Sequence, residues 1–189
     1  SWHGELVVFS GNTDCYQPVE STLGLTRACL EVCADYQNPV GIITKGTLLV
    51  RDLDLFQRLR DRASIRVYFS IGFADDGTAR AVEPQAPSIT ARFEAMKQLS
   101  EAGIPTGISV APIIPALNDQ AIPELLSRAK AAGASVATWS MLRLPGNVEP
   151  VFLERMRDAF PDRLSKIVHR IQEVRGGAMT EAGFFRRLQ

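Results

Sequence analysis

Several features that would assign this chain to a particular class of protein are missing from its 189 residues. Lys plus Arg and Asp plus Glu number 21 each, so no overall charge points to nucleic acid as a partner. The longest apolar stretch, Ile104 to Leu117, contains prolines and is shorter than the roughly 18 to 20 residues that cross a bilayer. We therefore expect no membrane span and no membrane partner.

Cysteine is scarce, and targeting signals and common catalytic motifs are absent. Three cysteines, an odd number, do not form a disulfide framework and are typical of a reducing compartment. Ser1 to Glu5 lacks the basic and apolar regions of a secretory signal, which favours the cytoplasm. No HExxH, P-loop, GxGxxG, GxSxG or zinc-ribbon pattern occurs, so candidate functional residues must be found by their positions in the fold.

The composition that is present, 46% hydrophobic and 22% charged residues, predicts one globular domain with a substantial core. Short runs rich in Val and Ile alternate with longer segments of helical spacing. The predicted strands are Leu6–Phe9, Val40–Thr44, Ile65–Ser70, Gly107–Ala111 and Ser135–Leu142. The predicted helices are Thr22–Tyr36, Asp52–Arg62, Ser88–Ala102, Ile122–Ala132, Val148–Phe160 and Pro161–Val174.

This alternation requires crossover connections and therefore predicts an α/β fold with a parallel sheet. About five strand-helix units are present, whereas an open, partial TIM-type barrel would have six. We expect the sixth unit to precede Ser1. Residues 1–147 would form this partial barrel, and residues 148–189 a helical cap of the same domain.

Turn signals between the predicted elements support their boundaries. Gly103 and Gly133 stand between a helix and a strand, where a left-handed residue commonly ends a helix. Ser88 is expected to cap the helix that follows it, and Asn118 or Asp119 the helix at 122.

Ligands bind at the carboxyl ends of the strands in parallel barrels, and polar residues follow the strands here. Lys45 directly follows the second strand, where its ammonium could bind a carboxylate or extend to water. Thr13 and Ser70 lie at two other strand ends and could bind ribose hydroxyls or cap the strands. Gly11 either lets a ligand approach the backbone or permits a positive φ. Asp14 either orients a substrate or a water, or forms a local Asx cap.

Two sets of basic residues are candidate anion sites. Arg143, in an apolar run at the last strand end, needs an anionic partner, either a ligand or Glu83 or Asp14. A possible DNA-binding stripe lies on the last helix, although interspersed acidic residues favour an ordinary solvated face. The stripe comprises Arg163, Lys166, Arg170 and Arg175.

Four potential metal ligands favour structural roles. Cys29 and Cys33 share a helical face, but without a third ligand they are expected to pack as small core residues. His3 and His169 stand near opposite ends of the chain and are expected at the surface. We therefore expect no metal ligand in this chain.

Short motifs spread over the chain form an ordered series. They are Ser10-Gly-Asn-Thr-Asp-Cys-Tyr-Gln-Pro-Val-Glu20, Ile43-Thr-Lys45, Val67-Tyr-Phe-Ser70, Glu83-Pro84, Gly107-Ile-Ser-Val-Ala-Pro-Ile-Ile-Pro115, Leu117-Asn-Asp119 and Leu142-Arg-Leu-Pro145. The series resembles that of radical S-adenosylmethionine (SAM) enzymes in the spore photoproduct lyase and DNA repair photolyase-like group, and the resemblance extends over about residues 1–177.

The resemblance implies a lyase-like radical SAM enzyme, in which a [4Fe-4S] cluster cleaves SAM to a 5′-deoxyadenosyl radical that abstracts hydrogen from a substrate. It implies an electron donor such as flavodoxin or ferredoxin, and DNA as a candidate partner, with photoproduct repair as a candidate reaction. Thr13, Lys45 and Ser70 match SAM-contacting positions, the lysine reaching the carboxylate of SAM and the serine its ribose. Ala111 and Pro112 match the strand end that flanks the adenine.

The catalytic and substrate-binding candidates lie in the same loops. The family has a hydrogen-donating cysteine at the position of Gly11, and Cys15, four residues further on, is the candidate replacement, with Asp14 beside it. Asn12 and Arg143 are the candidate substrate-binding residues.

The family's cluster-binding CxxxCxxC loop is absent, and its ligands are expected upstream of Ser1. Without them, a cluster-less barrel that binds nucleotides or nucleic acid is the alternative function. A third interpretation is an aldolase-like barrel with Lys45 as a Schiff-base lysine, although no general base is clearly paired with it.

Overall fold

The computed structural model of the protein describes residues 4–179. The strands are β1 (Val7–Phe9), β2 (Val40–Thr44), β3 (Ile65–Ser70), β4 (Thr106–Ile113) and β5 (Val136–Met141). The α-helices are α1 (Glu20–Leu23), α2 (Leu25–Asp35), α3 (Leu53–Arg62), α4 (Asp76–Val82), α5 (Ile89–Glu101), α6 (Ile122–Ala131), α7 (Val148–Ala159) and α8 (Leu164–Val174). Short 3-10 turns at Leu48–Asp52, Asp119–Ala121 and Pro161–Arg163 precede α3, α6 and α8.

The five strands form one parallel sheet in the order β1-β2-β3-β4-β5, which is also their order in the chain. Neighbouring strands are joined through helices, as parallel pairing requires. The predicted fold class is confirmed: the sheet is open, and the architecture is that of a partial TIM-type barrel. All five carboxyl ends consequently lie on one side of the molecule.

The sheet and its helices enclose a continuous apolar core. Phe56, Phe69 and Met96, from α3, β3 and α5, have no solvent exposure at all. Helices α2, α3, α5 and α6 present their apolar faces to this core, which is how amphipathic helices cover a parallel sheet. The core therefore fixes the strand ends in relation to one another.

Several predicted boundaries differ from those observed. The helix predicted from residue 22 is two helices, because Gly24 adopts a left-handed φ of 62° and ends α1. The prediction that Asn118 or Asp119 caps α6 is wrong, since no side chain caps that helix. Ser88 does cap α5, with its Oγ accepting a bond from the Ala91 amide at 3.1 Å.

Helices α7 and α8 lie beyond the carboxyl ends of the central strands. Helix α7 packs against α4, which follows β3. The Arg163 guanidinium, just before α8, donates to the carbonyl of Ala116, which follows β4, at 2.9 Å. Met156 and Ile167 are fully buried and join the apolar core. No helix within residues 4–179 combines the length and apolarity needed to cross a membrane.

Candidate functional site

Strand register brings two of the predicted site residues to the same level. Thr44 of β2 pairs with Phe69 of β3, so the next residues, Lys45 and Ser70, stand side by side at the carboxyl ends. Ser70 in turn pairs with Ser109 of β4, two residues before Ala111. The carboxyl edge of β2, β3 and β4 therefore gathers Lys45, Ser70 and Ala111.

Asp14 ties the loop after β1 to the end of β2. Its Oδ1 accepts bonds from the Tyr16 amide at 2.9 Å and the Thr44 hydroxyl at 2.6 Å. Its Oδ2 accepts a bond from the Lys45 amide at 2.7 Å. The Tyr16 contact is the local Asx cap that was one of the two interpretations of Asp14. The other two contacts fix the main chain from which the Lys45 side chain projects.

Ser70 and Ala111 are joined directly. The Ser70 Oγ donates to the Ala111 carbonyl at 3.1 Å, and the Ser70 side chain is largely buried. Ala111 and Pro112 lie where the pairing of β4 with β5 shifts register between Val110 and Ile113. The hydroxyl of Ser70 keeps acceptor capacity, since a hydroxyl carries two lone pairs.

Asn118 connects the ends of β3 and β4. Its Nδ2 donates to the carbonyls of Gly72 and Pro112 at 2.7 and 2.9 Å, and its Oδ1 accepts from the Ile114 amide at 2.7 Å. A Cβ at Gly72 would lie 3.1 Å from the Pro112 oxygen, so the two loops approach closely there. Sequence reasoning assigned Asn118 to a helix cap and missed this role.

A buried ion pair lies behind Ser70 and also escaped sequence reasoning. The Arg92 side chain, 1% exposed, donates from Nη1 and Nη2 to Glu83 Oε2 at 3.0 Å each. Arg92 also donates to the carbonyls of Ser70 and Pro87 at 2.9 Å each. The sequence does contain one sign of this buried charge. Arg92 lies on the apolar face of α5, together with Ile89, Phe93 and Met96.

Lys45 completes this group of charges. Its Nζ lies 3.5 Å from Glu83 Oε1, and its side chain is 36% exposed while that of Glu83 is 10% exposed. Glu83 Oε1 is buried and has no hydrogen-bond partner among the described residues. The ammonium of Lys45 is therefore partly open to a ligand at the carboxyl edge of the sheet.

Cys15 occupies a firmly held loop beside this edge. Its amide donates to the Ser10 Oγ at 3.0 Å, and its carbonyl accepts from the Thr26 hydroxyl at 2.7 Å. Burial raises the pKa of the Cys15 thiol to about 11, with neighbouring Asp14 adding to the effect. The thiol therefore keeps its hydrogen at neutral pH.

The remaining predicted site residues are exposed. Asn12, Thr13 and Arg143 are all solvent-accessible, in the loops after β1 and β5. For Gly11, the positive-φ interpretation is wrong, because the left-handed residue is Ser10, with a φ of 78°. No heavy atom lies within 4 Å of a Cβ built at Gly11, so the space beside it is open.

A family comparison identifies the fold. The sequence model described as the Radical SAM superfamily matches residues 2–129, more than half of the chain. The chain belongs to the radical SAM superfamily. Members of this superfamily use SAM together with an iron-sulfur cluster.

Relatives of this radical SAM chain come from bacteria, an archaeon and a virus. It is 33% identical to the uncharacterized protein Rv2578c of Mycobacterium tuberculosis, over 88% of this chain and 49% of the relative. It is 35% identical to the uncharacterized protein MJ0683 of Methanocaldococcus jannaschii, over 60% of this chain and 42% of the relative. The uncharacterized protein ORF301 of Acidianus two-tailed virus is 33% identical over 60% of this chain and 36% of its own length. The chain thus spans about half the length, or less, of these relatives.

The residues of this radical SAM chain fit SAM but not the cluster. A partly exposed lysine ammonium, 3.5 Å from a buried carboxylate oxygen, is a suitable environment for the charged methionyl end of SAM. By contrast, no group of three His, Cys, Asp or Glu side chains within residues 4–179 could hold a metal ion. Cys33 packs against the core as expected, whereas Cys29 is exposed, which corrects the prediction that it is a core residue.

His169 and the basic stripe contribute little to the site. His169 is exposed as expected, and His3 lies outside the described residues. Arg175, like Arg163, bonds main-chain carbonyls, in its case those of Leu142 and Met179. Arg170 pairs with Glu173 at 2.5 Å. Three of the four basic residues in the stripe therefore have partners within the protein.

Proposed function

We propose that this chain is the SAM-binding part of a radical SAM enzyme, with Lys45 binding the carboxylate of SAM. The observation that carries the proposal is the position of the Lys45 ammonium at the carboxyl edge, paired only loosely with Glu83 at 3.5 Å and partly exposed. The Lys45 main chain is held by Asp14, which fixes the point from which the side chain would reach a ligand. Lysine and carboxylate form a charge-assisted bond at such a site.

The other cofactor contacts follow the same edge. We propose that Ser70 and Thr13 bind the ribose hydroxyls, and that Ala111 and Pro112 flank the adenine. The Ser70 hydroxyl already donates its hydrogen to the Ala111 carbonyl, so its Oγ would accept a hydrogen bond that a ribose hydroxyl donates. Membership of the superfamily and the strand register support this arrangement.

Bound SAM would supply a 5′-deoxyadenosyl radical after one-electron reduction by a [4Fe-4S] cluster. We propose that the cluster ligands belong to a part of the protein outside these 189 residues, since the chain spans only 49% of its mycobacterial relative. The electron donor is proposed to be a flavodoxin or a ferredoxin.

Cys15 is proposed to donate a hydrogen atom to the substrate radical. Hydrogen-atom donation needs the S–H form, and the raised pKa of about 11 keeps the Cys15 thiol in that form. Asp14 would position the Cys15 loop against β2 through its contacts with Thr44 and Lys45. Asn12 and Arg143, both exposed near the same edge, are proposed to contact the substrate.

The substrate is proposed to be nucleic-acid related, with reaction chemistry similar to that of spore photoproduct lyase. This finer proposal rests on the motif series alone. It is tested by incubating the cluster-containing full-length protein with SAM and an oligonucleotide that carries the spore photoproduct. Restoration of two adjacent thymines in the oligonucleotide would support the proposal, and an unchanged lesion alongside SAM cleavage would contradict it.

The cofactor assignment is tested by measuring SAM affinity by equilibrium dialysis. Lys45→Ala should weaken binding by about 10- to 100-fold, since a hydrogen bond to a charged group contributes about 1.5–3 kcal/mol. Lys97→Ala is the matched control, because Lys97 lies on α5, 54% exposed, in a loose pair with Glu101. Equal affinity of the Lys45 variant and the unsubstituted protein would refute the assignment.

The cluster proposal has a separate test. The coding sequence of the native transcript should contain a CxxxCxxC motif upstream of Ser1. A start codon without that motif would contradict the proposal and would favour the cluster-less binding module.

A further inference from the structure

The helices around the sheet leave the outer face of its last strand uncovered. Strand β5 stands at the end of the sheet and, among the described residues, pairs only with β4. Trp139 is in register with Val110, so both side chains project from the face that α5 and α6 cover over β4. Val110 is 2% exposed, whereas Trp139 is 69% exposed. Helix α7, which follows β5, packs against α4 and leaves this face open.

An apolar groove lies beside the exposed tryptophan, between β5 and α6. It is lined by Val110, Ile113, Ile122, Leu126, Ala137, Thr138 and Trp139. Its volume is about 370 Å³, room for about twelve waters at roughly 30 Å³ each. Waters there would find few hydrogen-bond partners, because all but one of the lining side chains are apolar. The groove is therefore suited to large apolar side chains rather than to a polar ligand.

The chain comes close to this groove at its last described residue. The Arg175 guanidinium donates to the carbonyls of Met179 and Leu142. Leu142 directly follows β5, and its amide donates to the carbonyl of Ile113, which lines the groove, at 2.9 Å. Met179 is itself buried in the apolar core. The main chain is thus held beside the carboxyl end of β5, a short distance from the groove, before it continues to residue 180.

The ten residues after Met179 have apolar side chains that suit the groove. Their sequence is Thr180-Glu-Ala-Gly-Phe-Phe-Arg-Arg-Leu-Gln189, which includes two adjacent phenylalanines. Phe184 and Phe185 are five and six residues beyond Met179, so an extended chain could carry them about 17 to 20 Å. Trp139 lies three residues, about 10 Å of strand, before the residue that follows β5 and is bridged to Met179. The segment is long enough to bring both phenylalanines to the groove.

We propose that residues 180–189 cover the groove between β5 and α6, with Phe184 and Phe185 packed against Trp139. The inference is independent of the proposed function. Such a cover would protect the end of the sheet, since an open edge strand flanked by apolar surface favours pairing with other chains. A second copy of the chain, or another part of the protein, would satisfy the same apolar surface, and the experiments below distinguish these occupants.

Trypsin cleavage after Arg186 and Arg187 measures how often the segment leaves the groove. Peptide mass spectrometry follows this cleavage in the full-length protein under native conditions. Trp139→Ser should accelerate it about 10- to 100-fold, because cleavage follows the population of the open segment and burial of one large apolar side chain contributes that much. Tyr36→Ser is the matched control, because Tyr36 is 70% exposed at the end of α2, between β1 and β2, and the cleavage rate should not change. Equal cleavage rates for Trp139→Ser and the unsubstituted protein would overturn the proposal.

A second measurement identifies the occupant of the groove. Hydroxyl-radical oxidation of Trp139, followed by mass spectrometry, should be slow in the full-length protein and fast when Phe184→Ser and Phe185→Ser are combined. Fast oxidation of both proteins would mean that the groove stays open. Slow oxidation of both would mean another cover, which is a second copy if the protection is lost on dilution and another part of the protein if it persists. Each of these three outcomes would overturn the proposal.

Discussion

Replacing Arg92 with methionine should destabilise the fold severely. The substitution preserves much of the side-chain length but removes bonds to Glu83, Ser70 and Pro87. It leaves a carboxylate that is 10% exposed without its main partner. Breaking a buried ion pair from one side costs about 3–5 kcal/mol, a large part of the roughly 5–15 kcal/mol that stabilises a typical domain.

Denaturant-induced unfolding, followed by circular dichroism, measures this loss. For a chain of this size, about 3–5 kcal/mol corresponds to a fall in melting temperature of about 6 to 20 °C. Arg62→Met is the matched control, because Arg62 is exposed at the end of α3 and its loss should change stability by less than about 0.5 kcal/mol.

A double variant checks the physical cause. Glu83→Leu combined with Arg92→Met removes both charges, so neither is left buried alone. We expect the combined loss to be clearly smaller than the sum of the single losses, with an interaction energy of about 0.5–3 kcal/mol. A loss below about 1 kcal/mol for Arg92→Met alone, or additive single losses, would refute the buried ion pair as a determinant of stability.

Two further predictions concern the loop after β1. At pH 8, iodoacetamide should alkylate the exposed Cys29 well before Cys15. The alkylation rate of Cys15 should rise about tenfold per pH unit up to its pKa of about 11. Peptide mass spectrometry that found Cys15 as reactive as Cys29 at pH 8 would contradict the raised pKa. Asp14→Asn should lower the free energy of unfolding by about 1–3 kcal/mol, because an amide cannot accept all three bonds from Tyr16, Thr44 and Lys45. Urea-induced unfolding measures this loss. An unchanged urea midpoint would exclude Asp14 as the link between the loop and β2.

The strand framework was readable from local sequence. Strands β2 and β3 have the bounds that were predicted, because each is a short run rich in Val and Ile with turn residues on both sides. Gly103 and Gly133 adopt the left-handed φ that was expected after a helix, 78° and 90°. Lys45 and Ser70 were identified as candidate site residues from the predicted strands alone, because the carboxyl ends of neighbouring parallel strands lie side by side.

Elements that depend on tertiary contacts were not readable. Helix α4 has no clear apolar periodicity over its seven residues, and it begins at an Asp75 side chain that accepts a bond from the Thr78 amide. Strand β4 continues past Pro112, although a proline argues against a central strand because it cannot donate to the ladder. Asn118 bonds to Gly72, 46 positions earlier, and no local pattern contains that information.

The exposed candidate residues Asn12, Thr13 and Arg143 were found from the ends of the predicted strands and from the motif series, whereas the buried Arg92–Glu83 pair required the structure. The difference is physical. The exposed candidates lie in loops that follow strands, where a short local motif can identify them. Arg92 supports the same edge of the sheet from a neighbouring helix, and no local motif contains both positions. A buried arginine on an otherwise apolar helix face is the sequence sign of such support, because its burial is tolerated only with a paired charge.

The contrast between Lys45 and Glu83 explains how these charges could be stable in the folded protein and still bind a ligand tightly. A partly exposed ion pair at 3.5 Å contributes only about 0–1 kcal/mol, so little is lost when a ligand separates the two groups. Lys45 would then gain a charge-assisted bond of about 1.5–3 kcal/mol to the proposed carboxylate, while Glu83 keeps both bonds from Arg92. Asp14 holds the Lys45 main chain, so only the side chain of this lysine would need to be ordered on binding. A ligand that lacked the carboxylate would not recover this gain, so the proposed role of Lys45 predicts that the affinity of the site depends on that group.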